Sequence, residues 1–99
     1  MLDVLVLVPS SADSAAVDEF VAGFARDVRQ AAGLLSYRAS VGDVMSRGAP
    51  PPYGRVVELQ FDSLASWMGW VMAPERATSR AALEQVQPLI MFFEVEQAV

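Results

Sequence analysis

The order of apolar segments along the chain constrains its fold more than any other feature of the sequence. Four segments with the continuous or alternating apolar pattern of strands are separated by segments with the spacing of amphipathic helices. The predicted strands span 2–8, 34–41, 55–61 and 89–95. The order β-α-β-β-α-β, with two right-handed crossovers joined by a hairpin, gives a four-stranded antiparallel sheet with the helices on one face. We therefore predict an α+β fold, the ferredoxin-like plait, as a single domain over residues 1–99.

The two helical segments differ in how regular they are. In the first, apolar residues recur at helical spacing over 17–28, with acidic residues early and arginines late, as the helix dipole favours. The second follows a cap at Asp62 or Ser63. Its apolar stripe is predicted to consist of Leu64, Trp67, Met68 and Val71. Pro74 interrupts this helix and suits the first position of a new one, so a further helical piece is expected to run to Gln87.

The sheet face turned away from the helices is predicted to be unusually apolar. Side-chain alternation assigns to the helix-facing set Val4, Val6, Val8, Leu35, Tyr37, Ala39, Val57, Leu59, Phe61, Met91, Phe93 and Val95. The opposite set is Leu5, Leu7, Ser36, Arg38, Val56, Glu58, Gln60, Ile90, Phe92 and Glu94. Half of this opposite set is large and apolar, and an exposed patch of that kind usually marks an interface. We therefore predict a homodimer that packs sheet against sheet.

The missing residue types exclude several kinds of chemistry. The chain has no His and no Cys, which excludes zinc fingers, thiol nucleophiles, Ser-His-Asp triads, His-ligated haem and disulfides. Oxygen ligands alone suit Mg or Ca, but the few clustered acidic residues lack the spacing of such a site, so no metal is predicted. The net charge of −5 argues against nucleic acid and anionic membranes as partners. The acidic start and the short apolar run that follows are unlike a secretory signal, so a cytoplasmic location is expected.

The second half of the chain carries a family resemblance. Residues 57–64 read Val-Glu-Leu-Gln-Phe-Asp-Ser-Leu, and residues 72–75 form a Met-Ala-Pro-Glu break after the helix. This stretch resembles EthD-like proteins of the dimeric α+β barrel superfamily, and the first half is similar in element order. The resemblance implies a homodimer without an obligatory cofactor, in a superfamily of cofactor-free monooxygenases, polyketide cyclases and lactone isomerases. Many relatives carry a His near the end of the first helix, where residues 26–31 here read Arg-Asp-Val-Arg-Gln-Ala.

A polar group on two neighbouring strands is the first candidate for a site. Arg38 and Glu58 are predicted to lie on the same sheet face, and Gln60 shares that face because it is two residues from Glu58. As catalytic residues, Arg38 and Glu58 would bind a carboxylate or phenolate and move a proton, with Gln60 contacting the substrate. The alternative is an ion pair that sets the register of a dimer interface.

An aromatic group is the second candidate, as the lining of a substrate pocket in which Arg38 or Glu58 would be the polar group. Tyr37, Trp67 and Trp70 would supply its flat walls, and Met68 would add an adaptable one. Trp67 lies within the apolar stripe and fits a core position better. Trp70 lies on the flank of the stripe, where a core or interface role and a ligand contact are equally open.

Two functions follow from these observations. The first is an EthD-like enzyme of the monooxygenase, cyclase or isomerase class, which acts on an aromatic or polyketide-like compound without a bound cofactor. The second is a non-catalytic homodimer that binds a small apolar ligand or serves as an accessory subunit, and the missing His favours this alternative. In both cases the expected partners are a second copy of the chain and a small aromatic ligand.

Overall fold

The computed structural model describes residues 1–73 and 77–96. The strands are β1 (Leu2–Pro9), β2 (Leu34–Ala39), β3 (Tyr53–Phe61) and β4 (Leu89–Glu94), and the helices are α1 (Ser14–Val28), α2 (Leu64–Val71) and α3 (Ala77–Val86). The strands form one antiparallel sheet in the order β2-β3-β1-β4. The predicted ferredoxin-like plait is confirmed. The predicted start of the last helix at Pro74 lies outside the described residues.

Strand β1 occupies the centre of the sheet because it can bury one face completely. Val4, Val6 and Val8 have no exposed surface, and the residues between them are half-buried. Aliphatic and β-branched side chains suit such a position, since they pack well on a pleated surface. The alternation predicted for this strand is confirmed.

Both of the first two helices begin at a polar cap. The Asp13 carboxylate accepts a hydrogen bond from the Ala16 amide at 3.1 Å, and the Ser63 hydroxyl accepts one from the Ser66 amide at 3.1 Å. Each cap satisfies an amide that has no partner within its helix. Among the described residues, no helix is long and apolar enough to cross a membrane.

The buried face of α2 differs from the predicted stripe. Trp67 and Trp70 are buried, whereas Leu64 and Met68 are each 41% exposed. A helix of two turns presents only a narrow face to the core, and two indoles three residues apart fill that face. The prediction of a stripe through Leu64 and Met68 was therefore wrong.

A single core connects the sheet with α1 and α2 through an aromatic cluster. The Phe24 and Trp70 rings are 5.3 Å apart edge to face, the Phe61 and Trp67 rings 5.5 Å, and the two indoles 5.7 Å. Phe20 extends the cluster along α1, with its ring 5.6 Å from that of Phe24. Such ring pairs add about 0.5–1.5 kcal/mol each beyond the burial of their apolar area. The packing of α2 therefore depends mainly on its two indoles.

Strand β4 has the opposite orientation from the predicted one. Ile90 pairs with Val6 and Phe92 with Val4, so both point towards the helices, and the Phe92 ring is 6.1 Å from that of Trp67. The residues that β4 turns away from the helices are Leu89, Met91 and Phe93. All five residues from 89 to 93 are apolar, so the strand contains no alternation from which its orientation could be read.

An irregularity in β2 corrects the prediction for Leu35. The register with β3 shifts between Leu34 and Ser36, so Leu34 packs against the core and Leu35 is 57% exposed. A bulge adds one residue to a strand and reverses the faces on one side of it. Beyond the bulge, Tyr37 faces the helices as predicted.

Candidate functional site

A cavity between α1 and α2 is the first candidate site. It has a volume of about 460 Å³ and opens to solvent between the C-terminal half of α1 and the outer side of α2. This helix groove is lined by Arg26, Asp27, Gln30, Ala31, Ala32, Ser66, Gly69, Trp70 and Ala73. The volume is sufficient for a small organic compound.

The two helices contribute different chemistry to the helix groove. Arg26, Asp27 and Gln30 follow one flank of α1 and its end, and they bring a cation, a carboxylate and an amide. Gly69 and Ala73 bring almost no side chain, so the chain of α2 can approach a ligand closely. Between them Trp70 presents part of its indole, which is otherwise buried in the core. The groove can therefore hold a flat apolar body and bind polar substituents at its edge.

One wall of the helix groove is fixed by a close approach of two loops. The Asp62 amide donates to the Gly33 carbonyl at 2.8 Å, and Gly33 has φ +87°. Ser66 on the groove wall donates its hydroxyl hydrogen to the Asp62 carboxylate, as Ser63 does at 3.1 Å. The hydrogen bonds from Ser66 and then Ser63 hold the pKa of Asp62 below its usual value. Residue Gly33 therefore ties the end of α1 to the start of α2.

The predicted aromatic lining is only partly brought to the helix groove. Trp70 lines the groove, whereas Trp67 is 3% exposed and belongs to the core. Met68 points to solvent, on a different side of α2. Tyr37 faces the helix layer from the edge strand β2, where it pairs with Leu59. Within one chain the four residues do not form one pocket.

The predicted polar group lies on the other side of the sheet, which we call the open face. Arg38 and Glu58 are cross-strand partners, and their side chains form an ion pair at 2.8 Å. The hydroxyl of Ser36 donates to the Gln60 amide oxygen at 3.3 Å. Beside these pairs, a cavity of about 70 Å³ is lined by Asp3, whose Oδ1 is buried and has no hydrogen-bond partner among the described residues. The ion pair itself is exposed, with 76% of the Arg38 and 46% of the Glu58 side-chain surface accessible.

The apolar half of the open face adjoins this polar group. It is formed by Leu5, Leu7, Val56, Leu89, Met91 and Phe93. The three residues from β4 are between 41% and 48% exposed. An apolar second face is therefore present, although β4 supplies other residues to it than the sequence predicted.

The polar residues of the helix groove were not recognised in the sequence. Arg26, Asp27 and Gln30 lie on the polar side of an amphipathic helix, where solvated residues have the same pattern. Two signals lay near the groove: Trp70, on the flank of its helix stripe, and residues 26–31, where the sequence resemblance places a His in many relatives. For a metal, no cluster of three acidic side chains exists among residues 1–73 and 77–96.

The fold is shared with several solved structures, although no family model and no curated protein matches the sequence. An EthD family protein from Bacillus halodurans superposes with a TM-score of 0.77 at 19% identity, covering 97% of this chain and 99% of its own. A dimeric ferredoxin-like protein of unknown function from Jannaschia superposes with a TM-score of 0.74 at 17% identity, covering 95% of this chain and 98% of its own. SnoaB, a cofactor-independent oxygenase from Streptomyces nogalater, superposes with a TM-score of 0.71 at 13% identity, covering 99% of this chain and 94% of its own. The predicted likeness to EthD-like and dimeric ferredoxin-like proteins is confirmed at the level of the fold.

Proposed function

We propose that this chain is a small-molecule enzyme that takes an aromatic or polyketide-like compound into the helix groove and acts on it without a bound cofactor. The observation that carries the proposal is the cavity of about 460 Å³ with Trp70 in its wall and polar side chains beside it. The indole offers a flat apolar surface, and a few polar groups suffice to orient a substituted ring. The shared fold with a cofactor-independent oxygenase supports the same class.

The side chains of the helix groove can supply proton transfer and electrostatic stabilisation. Asp27 brings a carboxylate that can accept a proton from a phenol or an enol of the bound compound. Arg26, the preceding residue on α1, can stabilise the negative charge that this transfer leaves on the compound. A phenolate or enolate is a reasonable starting point for monooxygenation, cyclisation or isomerisation, and the proposal comprises these three classes.

A specific observation favours the second candidate, a non-catalytic homodimeric ligand-binding or accessory protein. The Ser66 hydroxyl on the groove wall is already engaged with Asp62, and the chain has no His to activate a nucleophile. Asp27 is then the only carboxylate on the groove wall for acid-base work among the described residues. Binding without turnover would follow if Asp27 cannot reach an acidic position of the ligand.

The proposal includes a homodimer that packs open face against open face. Its apolar half exposes Leu89, Met91 and Phe93, and burial of such a patch stabilises an association by about 25 cal/mol per Å² before the costs of association are counted. Dimeric ferredoxin-like proteins share the fold. In this arrangement the Arg38–Glu58 ion pair lies at the interface and helps to set its register.

The two Trp residues of the chain provide a direct test of the helix groove. In Trp67→Phe, Trp70 is the only remaining indole and reports on the groove; in the matched variant Trp70→Phe, the indole of the core remains. We expect hydroxylated naphthalenes and anthracenes to quench the fluorescence of the first variant saturably and that of the second much less. Equal quenching of both variants would contradict the groove as the site.

Turnover then separates the two functions. The bound compounds are followed by absorbance and by oxygen uptake, in the native protein and in Asp27→Asn. Saturable binding with conversion that falls at least tenfold in Asp27→Asn supports the enzyme. Binding without conversion supports the accessory protein. Conversion that depends instead on Arg38→Ala and Glu58→Gln would place the reaction at the open face, as the sequence-based prediction for these two residues has it.

A further inference from the structure

One wall residue of the helix groove is a glycine that the fold itself does not require. Gly69 lies inside α2, and unlike Gly33 it has no positive φ. Apart from its chain neighbours and the backbone of its own helix, a Cβ added there would meet no described atom within 4 Å. A glycine inside a helix is less favourable than an alanine, because it loses more backbone freedom on folding. The fold would therefore gain from alanine at this position.

Gly69 lies in the middle of the groove wall that α2 and its end contribute. Ser66, Gly69, Trp70 and Ala73 line the groove, at the spacing of residues that share one face of a helix. Gly69 is three residues from Ser66 and four from Ala73, and it precedes the indole of Trp70. A molecule that lies on this wall therefore meets the backbone of α2 at Gly69, where no Cβ holds it away.

The Gly69 carbonyl is a hydrogen-bond acceptor at the same wall. In a continuing α-helix it would accept from the amide four residues on. The Ala73 amide donates instead to the Trp70 carbonyl at 3.1 Å, and the next residue, Pro74, has no amide hydrogen. A helix carbonyl points along the axis towards the residue four positions on, so the Gly69 oxygen lies between Gly69 and Ala73, and both of these residues line the groove.

We propose that Gly69 determines which compounds the helix groove accepts: an aromatic compound lies over the α2 backbone at Gly69 and donates a hydrogen bond from a hydroxyl group to the Gly69 carbonyl. Carbonyls at a helix end that have no helical donor are satisfied by water or by a ligand. A carbonyl oxygen only accepts, so it favours a hydroxylated ring over the corresponding ether. The inference rests on the function proposed for the helix groove and adds the donor group that its ligand carries.

The test compares two helix glycines by calorimetric titration of the full chain. Gly69→Ala places a methyl group in the groove. The matched variant Gly23→Ala places one on α1, in ordinary contact with the Arg26 side chain at 3.6 Å, and Gly23 is not among the residues that line the groove. The probes are 2-naphthol and 2-methoxynaphthalene, which differ in the one hydrogen that can be donated.

The expected result is a loss of hydroxyl preference in one variant only. The native chain and Gly23→Ala should bind 2-naphthol roughly three- to tenfold more tightly than the ether, as one hydrogen bond gives. Gly69→Ala should bind 2-naphthol about tenfold more weakly than the native chain and should no longer distinguish the two probes, because its methyl group holds the ring away from the carbonyl. The four affinities of Gly69→Ala and the native chain form a cycle that isolates this one contact.

Thermal unfolding without a ligand tests whether the fold requires the glycine. Both variants should raise Tm by about 2–6 °C, since each replaces a helix glycine by alanine. A lower Tm in Gly69→Ala would overturn the proposal, because the glycine would then serve the fold. Unchanged affinity for 2-naphthol in Gly69→Ala, or a hydroxyl preference that persists there, would also overturn it and leave the groove as the binding site. If the native chain binds neither probe and the fluorescence of Trp67→Phe is not quenched saturably, the function proposed for the groove fails as well.

Discussion

The close approach at Gly33 gives a quantitative prediction. A Cβ at this position would lie 2.5 Å from the Ser66 Oγ and 2.6 Å from Asp62 Oδ1, and φ is +87°. A positive φ costs a residue with a side chain about 1–2 kcal/mol. Displacement of Ser66 breaks its hydrogen bond to Asp62, for a further ~1 kcal/mol or more. We expect Gly33→Ala to lower the free energy of unfolding by about 2–3 kcal/mol and Tm by about 10–20 °C in a domain of this size.

Gly42 provides the matched control for the backbone part of this cost. Its φ is +73°, and a Cβ added there would meet nothing within 4 Å. Gly42→Ala should therefore lower the free energy of unfolding by only about 1 kcal/mol. The entropy that alanine removes from the unfolded chain is similar in both variants and cancels in the comparison. Differential scanning calorimetry measures the stability of both variants. Equal losses of unfolding free energy in Gly33→Ala and Gly42→Ala would refute the argument that the close approach of Ser66 requires a glycine at position 33.

Three further predictions concern pH and assembly. Burial raises the pKa of Tyr37 above 10.0, so the stability linked to its protonated hydroxyl is present below that pH and is lost as the pH rises through the folded-state pKa. Urea titrations from pH 9 to 11 should show a falling free energy of unfolding in the native protein and a smaller fall in Tyr37→Phe. The same pH dependence in both proteins would contradict this prediction. The pKa of Asp62 lies below 3.8, so the stability linked to its carboxylate is present above that pH and is lost as the pH falls through the folded-state pKa. Asp62→Asn should therefore lose less stability in acid than the native protein. An equal loss in both proteins would exclude this carboxylate as the source. If the proposed dimer forms through the open face, Met91→Glu should give a monomer in light scattering. Met72→Glu, at an exposed position outside that face, is the control. A dimer that persists in Met91→Glu would exclude the open face as the interface.

The elements and their order could be predicted because their patterns are strongly periodic. Val4, Val6 and Val8 alternate with half-buried neighbours, and α1 repeats its apolar residues at helical spacing. The orientation of β4 could not be predicted, since an uninterrupted apolar run has no period. The position of Leu35 was missed for a different reason: a bulge depends on the pairing of two strands, and neither strand alone encodes it.

The candidate site was less predictable than the fold because it is formed between elements. The neighbourhood of Arg38 and Glu58 was correctly predicted from strand order and parity. The separation of this pair from Trp70 was not predicted. The aromatic residues and the polar pair were expected in one site, but Trp70 and the polar pair lie on opposite sides of the sheet. The polar wall of the helix groove depends on how α1 and α2 are placed, and that placement is decided by the packing of the indoles.

The aromatic cluster has a consequence for how this protein can diversify. Trp70 packs against Phe24 in the core and also lines the helix groove, so this one side chain belongs both to the core and to the candidate binding surface. A change of ligand preference through this residue would alter stability in the same step, by the several kcal/mol that loss of a buried aromatic costs. Substitutions at Arg26 and Gln30 carry no such penalty, because these side chains are exposed. Selection for new ligands would therefore be expected to vary the polar wall and to retain the indole.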